Sequence, residues 1–157
     1  SSGARVITMS SGGMYAAGLT LSQLQMTPEK YNGTKQYALA KRAQVTLNEM
    51  WAERFADAGV RFHAMHPGWA DTDGVKRSLP RFRKILRSIL RDAAAGADTA
   101  LWLAGTRPAQ PERELVWFDR AIRPAHVYDR TRTTKDTPRS LVAYLESELA
   151  SQPTARA

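Results

Sequence analysis

The alternation of short apolar runs with a longer helical pattern is the feature that most restricts the fold of this chain. A β-branched run from Arg5 to Met9 stops abruptly at Ser10-Ser11-Gly12-Gly13, as a buried strand does where it enters a tight loop. From Thr34 to about Ala58, apolar residues recur every three or four positions, which predicts a helix. A second apolar run from Val60 to His66 ends at Pro67-Gly68. This order predicts a βαβ unit with parallel strands.

Three further segments extend this arrangement. The small-residue segment from Ala93 to Ala104 predicts a helix, Leu115 to Phe118 a third strand, and Pro138 to Ala150 a last helix. We therefore predict an α/β fold that contains the last three parallel strands of a doubly wound, Rossmann-like sheet. We expect residues 1–150 to form one partial domain and residues 151–157 a disordered tail.

Composition excludes several classes of protein. The 157 residues are 43% hydrophobic and include no cysteine, so a disulfide-stapled module and a thiolate metal site are both excluded. No apolar run reaches the roughly 18 residues of a transmembrane helix, and no targeting pattern precedes Arg5, so we expect a cytoplasmic protein. Histidines and carboxylates do not converge at ligand spacing, and we assign no metal. The net charge of +8 favours phosphates, acidic cofactors or anionic membranes without choosing among them.

A tyrosine and a lysine lie four residues apart within the first predicted helix. This spacing places Tyr37 and Lys41 on one helical face. A phenol ordinarily titrates near pH 10, so a neighbouring cation that stabilises the phenolate would make Tyr37 a candidate general acid. The alternative is a surface tyrosine and lysine with no chemical role. Tyr31 and Lys35 have the same spacing, but the Asn-Gly between them indicates a turn, and we favour Tyr37 and Lys41.

Polar residues also follow both strands of the predicted βαβ unit. Ser10 and Ser11 lie at the carboxyl end of the first strand, where open α/β sheets bind ligands. A hydroxyl there could donate to a carbonyl oxygen that gains charge during reduction, although an ordinary serine turn would have the same sequence. In the segment from His66 to Thr72, backbone amides and the Thr72 hydroxyl could contact a planar, amide-bearing ligand. We interpret His66 as structural.

Taken in order, these elements resemble the second half of the short-chain dehydrogenase/reductase family. The resemblance rests on Ser-Ser-Gly-Gly after a strand, Tyr-x-x-x-Lys in a helix and Pro-Gly-x-x-x-Thr after the next strand, and it runs from Arg5 to about Phe118. It implies an oxidoreductase that uses NAD or NADP to reduce a carbonyl or oxidise an alcohol. The sequence does not distinguish NAD from NADP, because the discriminating residue follows a strand that this chain lacks.

The resemblance also implies roles for individual residues. Ser11 would polarise the substrate carbonyl, and Tyr37 would deliver the proton. Lys41 would assist Tyr37, and both would hold the nicotinamide ribose, while Pro67, Gly68 and Thr72 would line the nicotinamide. The long gap between Ser11 and Tyr37 favours a bulky, apolar small-molecule substrate.

Several family features are absent from the sequence. It contains neither the glycine-rich cofactor fingerprint nor the Asn-Ala-Gly segment nor the asparagine that completes the catalytic tetrad. Four strands with their crossovers, at roughly 30 residues per βαβ unit, amount to about 120 residues. We therefore expect the C-terminal part of a longer enzyme, inactive on its own. We also expect self-association or homo-oligomerisation through an exposed edge of the strand Arg5 to Met9.

The stretch from Lys76 to Asp92 supports an alternative function. Its apolar residues share one face of a predicted helix while its arginines and lysine face outward, so it could bind anionic membrane or nucleic acid as a non-catalytic interaction module. In the family's layout this segment belongs to the substrate-covering loop, and a lid over the site explains it without a second ligand. Phe82 is the one aromatic residue among the basic ones of this stretch, so we expect no nucleic-acid binding.

Overall fold

The computed structural model describes residues 3–70 and 90–151, which form a mixed α/β structure. The strands are β1 (Arg5–Met9), β2 (Arg61–Met65), β3 (Leu115–Phe118) and β4 (Ala121–Pro124). The helices are α1 (Gly33–Arg54), α2 (Ala93–Thr106), α3 (Asp129–Arg132) and α4 (Pro138–Ser151). Short 3₁₀ helices occur at Gly12–Ala16, Leu21–Gln23, Pro28–Lys30 and Ala56–Ala58. None of the helices in the described ranges is long and apolar enough to span a membrane.

The four strands form one sheet in the order β1-β2-β3-β4. β1 and β2 are parallel, in a register from Arg5 opposite Arg61 to Met9 opposite Met65. β2 and β3 are also parallel and meet at Met65 and Trp117. The prediction of three parallel strands is therefore confirmed, and β1 lies at one edge of the sheet within the described part of the chain.

Strand β4 was not predicted from the sequence. It pairs antiparallel with β3 through a two-residue turn, Asp119 and Arg120, whose φ angles of 50° and 56° are both left-handed. Such hairpin turns usually carry Asn-Gly or Asp-Gly, so the sequence lacks the usual signal. Two residues of α2 stabilise the turn. Thr99 Oγ1 accepts the Arg120 N–H at 3.2 Å, and the Asp98 carboxylate pairs with the Arg120 guanidinium. Tertiary contacts support a turn that local preference does not favour.

Apolar side chains cover both faces of the sheet. Neighbouring residues of a strand point to opposite faces, so Ala64 and Met65 of β2 belong to different clusters. The cluster that includes Ala64 also contains Val45 of α1. The cluster that includes Met65 also contains Leu103 of α2. Helices therefore pack on both faces of the sheet, as expected for a doubly wound fold.

The helix predicted up to Ala58 ends earlier, at Arg54. The 3₁₀ helix Ala56–Ala58 follows it and stops at Gly59, which has a left-handed φ of 69°. At the other end, the Asn32 side chain accepts the Lys35 N–H and starts the helix. Because a single 3₁₀ turn, with 3.0 residues, is close in spacing to the 3.6 residues of an α-helical turn, periodicity alone does not separate the two helices.

Two further predictions need correction at their boundaries. Most of the basic stretch 76–92 lies outside the described residues, but residues 90–92 are not helical: Arg91 forms a bridge with Ala70, and the Asp92 carboxylate caps α2 by accepting the Ala95 N–H. Ser151, predicted to begin the disordered tail, is the last residue of α4. Residues 152–157 lie outside the described ranges.

Candidate active site

The serine pair lies at the carboxyl end of β1, and its two hydroxyls differ in their contacts. Ser10 is buried, and its Oγ donates to the Lys41 backbone oxygen at 3.0 Å. Ser11 caps the 3₁₀ helix Gly12–Ala16, where its Oγ accepts the Gly13 N–H at 3.2 Å. In that contact the Ser11 oxygen is the acceptor, so its O–H can donate to another group. Ser11 therefore has the hydroxyl suited to a ligand.

Tyr37 packs beside the serine loop from the first turns of α1. A Cβ atom on Gly13 would lie 3.4 Å from two ring carbons of Tyr37 and 3.6 Å from Ser11 Oγ. The tyrosine ring and the serine oxygen therefore flank the same small residue. The Tyr37 side chain is 50% exposed, so its phenol remains accessible beside the loop.

Lys41 lies one helical turn further along α1. Its Nζ donates to the Met9 backbone oxygen at 3.1 Å and to Gln44 Oε1 at 3.0 Å, and it lies 5.6 Å from the centroid of the Tyr37 ring. Partial burial lowers the pKa of the Lys41 ammonium. The structure thus brings Ser11, Tyr37 and Lys41 together at the carboxyl end of β1.

The second tyrosine and lysine pair has a different environment. Tyr31 precedes α1 and its side chain is 66% exposed, while the backbone N–H of Lys35 is bound by the capping Asn32 at 3.0 Å. Tyr31 is therefore not part of the helix that carries Lys35. The choice of Tyr37 over Tyr31 agrees with this geometry.

The loop after β2 is shaped by a glycine. Gly68 has a left-handed φ of 74°, and a Cβ there would lie 3.1 Å from both Arg91 Nε and Phe118 Cε2. Pro67 is partly buried, and its Cβ lies 3.6 Å from the position of a Cβ on Gly96 of α2. The loop is therefore packed closely between β3 and α2. Thr72, also predicted to contact a ligand, lies outside the described residues.

His66, at the end of β2, makes several contacts that the sequence did not indicate. Its Nδ1 accepts the Gly68 N–H at 3.3 Å, and its Nε2 lies 3.4 Å from Tyr15 Oη. Its ring stacks on Phe118, with the ring centroids 4.3 Å apart. Burial lowers the pKa of His66 to about 4, so the ring is neutral at physiological pH. These contacts agree with a structural interpretation, but Tyr15 and Phe118 are distant in sequence and no local pattern connects them to His66.

The residues at this edge fit one end of a nicotinamide dinucleotide. Lysine has three ammonium N–H donors, and the bonds to Met9 and Gln44 leave one for a ribose hydroxyl. Gly68 packs closely against Arg91 and Phe118, so the loop presents a defined surface beside the lysine. The sequence contains no glycine-rich strand-turn-helix for the pyrophosphate. The fit therefore covers the nicotinamide and its ribose, and not the rest of the dinucleotide.

Known proteins with similar sequences are named as oxidoreductases. Over 148 residues the chain is 43% identical to dehydrogenase/reductase SDR family member 12 of Bos taurus, covering 93% of this chain and 46% of that protein. It is 47% identical over 109 residues to the Homo sapiens protein of the same name, covering 68% and 34%. It is 25% identical over 109 residues to oxidoreductase calI of Penicillium decumbens, covering 62% and 32%. The chain spans less than half the length of these relatives. No protein family model matches it.

A solved structure shows the same fold. The crystal structure of an uncharacterized protein from Mycobacterium paratuberculosis matches 91% of this chain and 49% of its own chain, with a TM-score of 0.61. The sequence identity is 21%, so this similarity concerns the fold alone. It agrees with a partial Rossmann-like architecture.

Proposed function

The chain belongs to the short-chain dehydrogenase/reductase (SDR) family, and from this premise we propose that it carries the proton-transfer and nicotinamide end of an NAD(P)-dependent oxidoreductase. The reaction is the reduction of a carbonyl or the oxidation of an alcohol. The observation that carries the proposal is the meeting of Ser11, Tyr37 and Lys41 at the carboxyl end of β1. A hydroxyl, a phenol and an ammonium group, each able to donate a hydrogen bond, therefore lie at one accessible edge of the sheet.

Each of the three side chains has a distinct role in this proposal. The Ser11 O–H donates to the substrate oxygen, where negative charge grows during reduction. The Tyr37 phenol holds the proton that this oxygen gains or loses. The Lys41 ammonium, fixed by the Met9 and Gln44 oxygens, places positive charge near the Tyr37 ring and favours the phenolate that remains after proton transfer.

The same lysine would also bind the cofactor. Its remaining N–H and the Tyr37 phenol would hold the nicotinamide ribose, while Pro67, Gly68 and Thr72 would lie along the nicotinamide ring. The nicotinamide supplies or accepts the hydride when it is bound. The close packing of Gly68 against Arg91 and Phe118 supports this part of the proposal, because it gives the loop a defined surface.

The substrate in this proposal is a small, apolar carbonyl compound or alcohol. Residues 12–32 connect Ser11 to the start of α1 and contain three 3₁₀ helices. Beside this connection, an open cavity of about 490 Å³ is lined half by small and apolar residues, such as Ala17 and Leu39, and half by polar ones, such as Thr34 and Lys35. Its size suits a small organic molecule.

Removal of the Tyr37 hydroxyl tests this function. In the complete natural protein that contains this chain, Tyr37→Phe should reduce kcat by about 10²- to 10⁴-fold, the usual contribution of a general acid. The cofactor Kd, measured by NAD(P)H fluorescence titration, should rise by no more than about three- to tenfold, the range for the one ribose hydrogen bond that the phenol supplies, because Lys41 keeps its own N–H donor. Tyr31→Phe is the matched control, because it removes the same hydroxyl from a residue outside α1 and should keep full activity. Near-normal turnover of Tyr37→Phe would rule out the assignment.

A further inference from the structure

Side chains from three strand ends form one continuous assembly beside the candidate active site. Tyr15 belongs to the 3₁₀ helix after β1, His66 follows β2, and Phe118 ends β3. The Tyr15 and His66 rings meet edge to face, with centroids 5.6 Å apart, and His66 stacks on Phe118. The Arg91 guanidinium also contacts this assembly, with its Cζ 4.8 Å from the centroid of Phe118. The assembly connects loops that are distant in sequence.

Hydrogen bonds assign a role to each ring nitrogen of His66. Its Nδ1 accepts the Gly68 N–H, so this nitrogen carries no proton. The neutral ring then has its proton on Nε2, which lies 3.4 Å from Tyr15 Oη and can donate to it. The Tyr15 hydroxyl in turn donates to the Pro124 backbone oxygen at 3.2 Å. His66 is therefore bonded to one loop through each nitrogen.

The serine loop and the Pro67-Gly68 loop, which His66 contacts through its two nitrogens, carry the two halves of the proposed site. Tyr15 lies in the 3₁₀ helix that Ser11 caps and that includes Gly13, the residue against which Tyr37 packs. Gly68 belongs to the loop assigned to the nicotinamide. We propose, resting on the function above, that His66 is a positioning residue that holds the serine loop and the Pro67-Gly68 loop in fixed register.

Arg91 supports the same arrangement through contacts of its own. Its guanidinium makes two contacts with the Asp119 carboxylate, the longer of them 2.6 Å, and its backbone N–H donates to the Trp69 oxygen at 2.8 Å. With Phe118, Arg91 also forms the wall against which Gly68 packs. The orientation of the His66 ring is therefore set by stacking as well as by its hydrogen bonds.

Asparagine and glutamine substitutions of His66 each remove one of its two hydrogen bonds and so test them separately. His66→Asn places a side-chain oxygen near the position of Nδ1 and loses the contact with Tyr15, whereas His66→Gln keeps a donor near Nε2 and loses the acceptor for Gly68. Tyr15→Phe removes the contact with His66 from the other side, together with the bond to the Pro124 oxygen, and keeps the ring. We expect His66→Asn and Tyr15→Phe each to lower kcat by about three- to tenfold, the range for one hydrogen bond. We expect His66→Gln instead to raise the cofactor Kd by a similar factor.

A double-variant comparison distinguishes positioning from simple packing. If one bond transmits the effect, Tyr15→Phe combined with His66→Asn should lower kcat no further than either change alone. Multiplied losses, or wild-type kinetics for all three single variants, would overturn the proposal. The assays use the complete natural protein, and thermal unfolding midpoints identify any variant whose kinetics reflect loss of folded protein.

A measurement without turnover separates this inference from the proposed function. In ¹⁵N NMR spectra, His66 should be the Nε2–H tautomer, and His66→Asn should accelerate amide exchange within residues 12–16. Unchanged exchange there would contradict the positioning role even if Tyr37→Phe is inactive. Conversely, an active Tyr37→Phe variant would refute the proposed function while the tautomer and exchange results still decide whether His66 links the loops.

Discussion

Arg42 is a cation whose side chain is almost fully buried beside the candidate site. Its guanidinium donates to the backbone oxygens of Met14 at 3.0 Å, Ala17 at 3.0 Å and Ala125 at 2.7 Å. It also contacts His126 Nε2 at 3.3 Å, and since arginine has only donors, this nitrogen accepts. Burial and the Arg42 charge lower the pKa of His126, which agrees with a neutral acceptor. Arg42 thus joins the serine loop to the segment after β4.

Loss of Arg42 should destabilise the protein strongly. Arg42→Met leaves three backbone oxygens without their donor, and we expect the free energy of unfolding to fall by roughly 2–5 kcal/mol. Arg54→Met is the matched control, because Arg54 lies on the same helix, is exposed and pairs with Glu146 at 3.7 Å. Such a surface pair contributes about 1 kcal/mol or less. Urea denaturation measures the free energy of unfolding of both variants, and an equal decrease in the two would contradict this account of Arg42.

At the scale of the elements, the first turns of α2 pack against the segment that follows Pro67 and Gly68. Asp92 caps the helix, and a Cβ on Gly96 would lie 3.1 Å from the Ala70 Cβ. The close approach of helix and loop therefore depends on small residues on both sides. Gly105, near the other end of α2, has nothing within 4 Å of the position of a Cβ.

Substitution by alanine should change the stability in opposite directions at Gly68 and at Gly105. Gly68→Ala puts a side chain on a left-handed residue in contact with Arg91 and Phe118, and we expect a loss of about 1–2 kcal/mol in stability. Because the loop must shift, the Kd for NAD(P)H should also rise. Gly105→Ala should be neutral or stabilise the helix by up to about 1 kcal/mol. Thermal unfolding and cofactor titration provide the measurements, and a Gly68→Ala protein as stable as the wild type would be the contrary result.

At the scale of the whole molecule, the position of β1 in the sheet bears on whether residues 1–157 associate with other chains. β1 pairs with β2 on one side and lies at the edge of the sheet in the described ranges. Val6 is 36% exposed and Met9 48% exposed, so this edge combines apolar side chains with backbone hydrogen-bonding groups. Such an edge favours pairing with a further strand.

We therefore expect the isolated chain to associate with itself and to bind NAD(P)H weakly. The pyrophosphate and adenosine ribose normally contribute much of the binding through a glycine-rich strand-turn-helix, which this sequence lacks. Light scattering and NAD(P)H fluorescence titration on residues 1–157 test the two expectations separately. A monodisperse monomer with micromolar cofactor affinity would contradict both.

Local sequence was enough to predict β1, α1, β2 and β3, because each has its own periodicity or apolar run. It also predicted the proximity of Tyr37 and Lys41, since helical geometry alone places residues four apart on one face. Their relation to Ser11 required only that α1 pack against the strand before it. The family resemblance, which depended on the order of these motifs, is confirmed by the relatives.

Only the tertiary structure decided the contacts that cross the chain. Tyr15 and His66 are 51 residues apart, and Arg42 and Ala125 are 83 apart. No periodic pattern links such positions, because their contact depends on how the strands are ordered in the sheet. Strand β4 likewise formed around left-handed Asp119 and Arg120, whose conformation is stabilised from α2 and not by their own preference. Short-range spacing thus determined most of the elements and the proximity of Tyr37 and Lys41, whereas long-range packing decided which loops meet and which side chains hold them.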